Sequence, residues 1–397
     1  MATLPLAIDS YLVDWLDLLL RWLHVIAAIA WVGASFYFVL LDQSLRPPAD
    51  PEDAEAGVAG ELWEVHGGGF YHVQKYRVAP RELPEQLAWF KWEAYTTWLS
   101  GFALMVVLYY FDAGGTLIDT SVADLEPWLA VVLSAGLLVA AWLAYDVLCR
   151  VLGRNERALA ASVALLSVLS AYGASQLFAP RAAFIQVGAM LGTIMAANVL
   201  FVIIPAHWEL IRAKQAGREP DAAPGLEGKR RSVHNNYLTL PVLFTMLAGH
   251  FPLAYGAARA WLVLIVLMAL GVLARLFYNL RHQGRTHWWM PAVGAVAIIV
   301  LALVLRPDDG ETTTPPDAAA VERGKAVFAN ARCGTCHTLA DAGAAGNIGP
   351  SLDGSPPSQA LVVERVTHGQ GGMPSFSDRL TEDEIADVAA YVRSVAG

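Results

Sequence analysis

Cys333 and Cys336 lie three positions apart and are followed at once by His337, in CGTCH. That spacing sets two thiols to form thioethers with the vinyl groups of a porphyrin, with an imidazole beside them for the iron; C-x-x-C-H is the attachment signature of c-type haem. Downstream, GGMPSF at 371–376 offers the Met373 thioether as a second axial ligand. A Met/His pair raises the reduction potential, which suits an acceptor of electrons. The expected haem c is therefore tethered by Cys333 and Cys336, with His337 and Met373 on its iron. The third cysteine, Cys149, has no visible partner and reads as structural.

Eight of the ten histidines fall in the first 300 residues. His24 lies in RWLHVIAAIAWVG and His250 in LAGHFPLAYG, both apolar runs. Counted from Leu18 and Gly256, each sits roughly 9 Å inside the same edge at 1.5 Å per residue. Equal depth on two helices is what a bis-imidazole haem b needs; two buried histidines bonded to backbone carbonyls would look the same. The other six, His66, His72, His207, His234, His282 and His287, fall towards the opposite end. Their grouping fits a second haem, a metal or a polar substrate pocket. In VHGGGFYHVQKY, His66 and His72 flank three glycines that let backbone approach a ligand, and Lys75 adds a cation. Lys91 and Glu93, with Asn235 and Asn236 beside His234, complete a set suited to a flat, hydrogen-bonding anion. Within it, His66, His72, Lys75, Lys91, Glu93 and His234 are the catalytic candidates.

The elements that must carry these groups are apolar. Of 397 residues, 56% are hydrophobic and only 16% charged, with a mean hydropathy of +0.43; a soluble domain of this size does not have that balance. Runs long enough to cross a hydrocarbon core, about 20 residues each, cover 12–42, 89–111, 127–149, 157–178, 181–211, 237–256, 258–280 and 288–305. None alternates in polarity as barrel strands do. An all-α fold is expected: an eight-helix transmembrane bundle over 1–305, a linker at 306–316, and a cytochrome c domain over 317–397.

Charge gives the orientation. Basic residues crowd the first, third, fifth and seventh loops, for example Arg77 and Arg81, Arg150 and Arg157, Lys229 to Arg231, and Arg281 and Arg285. The even loops hold only Arg181 and Arg259, and the second is acidic. The odd loops therefore face the cytoplasm. Both termini face outwards, the side on which haem c is attached, in a bacterial inner membrane. The net charge of −9 points away from nucleic acid.

The last domain also has a helix carrying Val321, Lys325 and Phe328 before CGTCH, IGPSL at 348–352 after it, and an amphipathic helix at about 381–395. In this arrangement it resembles class I cytochromes c. The segments RWLHVIAAIAWVGASFYFVLLD, EVHGGGFYHVQKY, WFKWEAYTTWLSGFALM and HNNYLTLPVLF, followed by such a domain, resemble the bacterial membrane-bound urate oxidases, or urate hydroxylases, over essentially the whole chain. The resemblance implies oxidation of urate to 5-hydroxyisourate. Electrons would leave through haem c to an external cytochrome c or cytochrome oxidase, without direct formation of peroxide. LHVIAAIAWVG also resembles the first helix of small bacterial membrane haem proteins related to protoporphyrinogen oxidation, in which a histidine ligates haem b. A membrane cytochrome that only relays electrons from quinol or a dehydrogenase to a terminal oxidase would share much of this pattern.

Overall fold

The computed structural model describes residues 10–153, 155–306, 317–346, 349–353, 357–369 and 373–396. Most of the expected linker, 307–316, lies outside them, as do Ile348 and the Gly371–Gly372 pair before Met373. The chain divides into two compact units between Leu305 and Arg306.

All eight apolar runs are helical in the first unit. They form α1 (Ser10–Ser44), α2 (Trp92–Met105), α3 (Pro127–Leu152), α4 (Glu156–Ser175), α5 (Pro180–Asn198), α6 (Ala222–Ala248), α7 (Ala260–His282) and α8 (Trp289–Val304). α2 runs on through a π turn at Val106–Tyr110, and α5 through one at Val199–Ile203 into Ile204–Gln215. Chemistry at the ends explains several boundaries. Pro127 and Pro180 open α3 and α5 at positions whose N–H has no helical partner. Asn155 and Asp221 cap α4 and α6 by accepting from Ala158 N and Ala223 N.

Among the described residues, five helices are long and apolar enough to cross a membrane: α1, α3, α4, α5 with its continuation, and α7. The other three depart for separate reasons. α2 carries Thr96, Thr97 and Ser100, and α6 carries Arg231, His234, Asn235 and Asn236. The 16 residues of α8 span roughly 24 Å, less than a hydrocarbon core of about 30 Å.

α5 is the hub, packed against α3, α4 and α6 and buried over most of its length. A Cβ on Gly188 would stand 1.9 Å from Thr245 Oγ1 of α6, so the missing side chain brings these two helices together. Gly271 of α7 does the same against Leu240 and Pro241 of α6, at 3.1–3.2 Å. Small residues at helix crossings are how apolar bundles gain contact.

Two expectations need correction. The first connecting loop contains a β-hairpin, β1 (Val58–His66) and β2 (Gly69–Tyr76), paired antiparallel, so the fold is mostly but not wholly helical. Gly67 and Gly68 have φ of +59° and +83°, the conformation of a two-residue hairpin turn. A turn therefore accounts for these glycines, not an approach to a ligand. The fifth loop is also shorter than expected. α6 begins at Ala222, so Lys229, Arg230 and Arg231 are helical, and Arg231 is only 2% exposed.

In the second unit, α9 (Ala318–Asn330), α10 (Gln359–His368) and α11 (Glu382–Val395) surround their own apolar core. α9 meets α11 at Gly324, where a Cβ would stand 2.0 Å from the Asp387 carbonyl oxygen. Phe328 meets Tyr391 edge-on at 5.8 Å, and Arg323 grips Asp387 through two bonds of 2.7 and 2.8 Å. Thr381 and Glu384 start α11 with a reciprocal capping box.

Candidate functional site

CGTCH follows α9 directly. Arg332 takes φ +58°, ending the helix and turning the chain into the short helical turn Cys333–Thr335. Both thiols are free. His337 Nδ1 is 2.9 Å from the Pro350 carbonyl oxygen, an acceptor that fixes Nδ1 as the protonated nitrogen and leaves Nε2 as the electron-pair donor. A Cβ on Gly349 would lie 2.5 Å from His337 Cε1, so glycine is what lets the ring sit there. Met373 and Cys333 pack, partly buried, against this unit's apolar core, as does Leu352. Two free thiols, an imidazole with Nε2 to offer and a thioether on one apolar surface fit the donor set of a c-type haem. Tyr391 donates to Asp341 Oδ2 at 2.7 Å and Lys325 Nζ stands 2.9 Å away. The tyrosine first and the lysine second hold the Asp341 carboxyl below the usual carboxylate range. Among the described residues His368 bonds to its own helix, through Glu364 O.

In the first unit the catalytic candidates separate. Antiparallel register pairs His72 with Trp63 and His66 with Gly69, which puts the two histidines on opposite faces of the ribbon. His72 Nε2 lies 2.8 Å from Glu61 Oε2, with its ring stacked 4.2 Å from that of Trp63. The Ala49 N–H, then His72, hold the Glu61 carboxyl below its ordinary range. His66 is exposed at the hairpin tip. Lys75 pairs with Asp42, which Lys229 also approaches at 3.3 Å. Lys91 Nζ lies over the rings of Trp89, Trp92 and Trp208 at 4.8–5.7 Å and not against Glu93, whose Oε2 is buried without a partner. Among the described residues, no three His, Cys, Asp or Glu gather so as to hold a metal ion.

His234 instead joins a buried network that sequence reading missed. Its Nδ1 is 2.8 Å from Tyr145 Oη. Asn198 Nδ2 donates to that oxygen and to Asn235 Oδ1, while Asn198 Oδ1 accepts from Arg231. Arg231 is neutralised by Asp146 and Glu227, each at 2.8 Å. A cleft of about 730 Å³ beside this network is lined by charges that are already paired.

Arg275 is different. It is 5% exposed, and its Nε and Nη2 donate to Asn236 Oδ1 at 3.2 and 3.0 Å, with Nη2 also 3.0 Å from Asn279 Oδ1. Its guanidinium lies 3.9 Å from the ring centre of Phe36. No carboxylate among the described residues pairs with it. Asn236 Nδ2 and His282 Nδ1 are buried without partners, and His282 lies within electrostatic reach of Arg275. Helices α1, α6 and α7 thus converge on a buried cation and unused hydrogen-bonding atoms. Arg275, well inside the run 258–280 whose other arginine, Arg259, stands at its edge, was the available sequence signal, because charge inside a span marks function by default.

His24 and His250 do share a site. Both line a cavity of about 480 Å³ between α1, α2, α5 and α6, a volume in the range of small-molecule pockets.

Comparison with known proteins agrees with this division. Residues 319–392 match the family "Cytochrome C oxidase, cbb3-type, subunit III". A cytochrome c6 from Picosynechococcus sp. is 36% identical over 113 residues, 26% of this chain and 92% of that protein. The cbb3-type cytochrome c oxidase subunit CcoP of Azospirillum brasilense is 32% identical over 117 residues, 26% of this chain but 36% of CcoP. The c-type cytochrome SorU from Sinorhizobium meliloti is 42% identical, covering 20% of this chain and 95% of SorU, at a TM-score of 0.20. The second unit is thus a cytochrome c domain, which implies haem c. Residues 10–306 match the family "Urate oxidase N-terminal". This chain belongs to the urate oxidase N-terminal family, its membrane-type helices joined to a cytochrome c domain that gives it a cytochrome-linked redox role.

Proposed function

We propose that the chain oxidises urate to 5-hydroxyisourate in the membrane and passes the electrons out through haem c. The observation that carries this reading is Arg275. Burying a guanidinium without a counter-ion costs several kcal/mol, and the described helices offer it amide oxygens and an aromatic ring but no carboxylate. A planar purine anion supplies the missing charge. The Phe36 ring suits a flat substrate, and Asn236 Nδ2 is free to donate to one of its carbonyl oxygens.

In this reading the urate anion and one water give 5-hydroxyisourate, one proton and two electrons. His282 Nδ1, buried and without a partner, accepts the proton at that atom. Arg275, Asn236 and Asn279 orient the anion. Of the other candidates, Lys91 and Glu93 stand at the start of α2 and His234 lies one turn or less from Asn236 on α6. They, with His66, His72 and Lys75, would shape entry and proton transfer rather than grip the ring.

Cys333 and Cys336 would tether haem c and His337 and Met373 would ligate its iron, which when bound would supply one-electron acceptance. Loop charge supports eight crossings, with the basic loops in the cytoplasm and the cytochrome c domain on the periplasmic side. An external cytochrome c or a cytochrome oxidase would then take the electrons.

The test is urate binding and urate-dependent reduction in Arg275→Met and Asn236→Ala. Both are expected to lose reduction while keeping covalent haem. Full reduction in both variants overturns the assignment of the Arg275 site. A relay without chemistry of its own would leave urate inert even in the unaltered protein.

A further inference from the structure

The cavity holding His24 and His250 is built for something other than the urate anion. His24 turns Nδ1 into α2, 3.0 Å from Thr97 O and 3.1 Å from Ser100 Oγ. The carbonyl fixes the proton on Nδ1 and leaves Nε2 with its lone pair, the arrangement that orients a histidine for a metal, and the residue lines the cavity. Gly101 makes room for it, since a Cβ there would stand 2.9 Å from His24 Cε1. His250, on the turn that ends α6, lines the same cavity and makes no side-chain hydrogen bond among the described residues.

The remaining wall is mostly apolar, with two exceptions. Arg21 sits one turn before His24 on α1, shared with Asp17 at 2.5 Å. Arg181 enters from the first turn of α5, its Nε buried without a partner and 3.4 Å from where a Cβ on Gly249 would be. It therefore stands beside the residue that precedes His250. Tyr109, between them, feels the charge of both guanidiniums and belongs to the π turn of α2, a distortion often found at functional sites.

We infer that this cavity binds a non-covalent b-type haem, with His24 and His250 as axial ligands and Arg181, assisted by Arg21, on the propionates. An iron macrocycle uses every one of these features. It needs two imidazoles with free nitrogens, an apolar slot for the ring, and cations for two carboxylates. A lipid tail would use the slot alone, and a quinone would engage one imidazole and leave the second without purpose.

The inference does not depend on the identity of the substrate, and its test involves none. Full-length protein is purified from membranes in detergent, haem is extracted with acid and acetone, and both fractions are converted to pyridine haemochromes. The expected result is one extractable b haem for each covalent c haem. His24→Ala and His250→Ala should each lose the extractable haem and keep the covalent one, which reports on intact chain. Arg181→Gln should retain b haem but lower its midpoint potential, because a cation that favours the reduced iron is gone. Unaltered protein that carries full haem c but no extractable haem, or quinone in its place, overturns the inference. So does retention of b haem in both histidine variants.

Discussion

Arg231 and Arg275 are both buried arginines of the helical unit, and they differ in one respect. Arg231 faces two carboxylates; Arg275 faces amide oxygens and a phenyl ring. Arg231→Met should destabilise the helical unit by about 1–3 kcal/mol, because Asp146 and Glu227 lose their buried partner and keep only Arg150 and Arg230; thermal unfolding in detergent reads this. Arg275→Met should leave thermal stability nearly unchanged and weaken urate binding by about 2–5 kcal/mol, roughly 30-fold or more. Arg275→Lys should not restore it, since a point charge cannot hold two acceptors in the geometry of a guanidinium. At the same scale, Asp341 gives the cytochrome c domain a pH response. Its folded-state pKa is depressed, so its contribution to stability is full above the unfolded value of about 3.9 and is lost as pH falls through the lower folded value. Asp341→Asn should remove that part of the acid limb, measured as loss of haem ligation against pH. Residue-level chemistry was legible where it is sequential. CGTCH with a later Met declares itself by spacing alone. Arg231, Asp146 and Asn198 come from three helices, and no local pattern connects them.

The elements were legible as far as hydrophobic periodicity carries. All eight apolar runs became helices, because an apolar run of this length can satisfy its backbone polar groups only internally. The hairpin is not declared by the sequence as a whole, although Gly67–Gly68 between Trp63, Val65 and Phe70, which share one face, is a turn signal; basic residues and three glycines in a row read more readily as loop. The early start of α6 was likewise masked by its charge, despite the Asp221 cap and the i,i+4 spacing of Glu227 and Arg231. In the cytochrome c domain, the packing of α9 on α11 depends on Gly324. Replacing it with Val sets a side chain into the Asp387 carbonyl and should cost about 1–3 kcal/mol or more. Loss of the Met373 thioether from the iron at lower temperature than in the unaltered protein would register it.

At the scale of the whole chain, one family covers residues 10–306 and a cytochrome c family covers 319–392, a pairing that joins a helical unit to a domain for cytochrome-linked electron transfer. Composition and loop charge anticipated a membrane protein, and cysteine spacing anticipated the haem. What composition could not reveal is that the packing of α1, α6 and α7 leaves Arg275 without a carboxylate partner among the described residues, the place where the proposed reading seats urate. Urate added without oxygen to the purified, fully oxidised protein tests the central claim directly. The account predicts prompt appearance of the reduced c-type absorption band in unaltered protein and its absence in Arg275→Met, while dithionite reduces both. An oxidised spectrum that urate leaves unchanged in the unaltered protein, with dithionite still able to reduce it, would contradict the account.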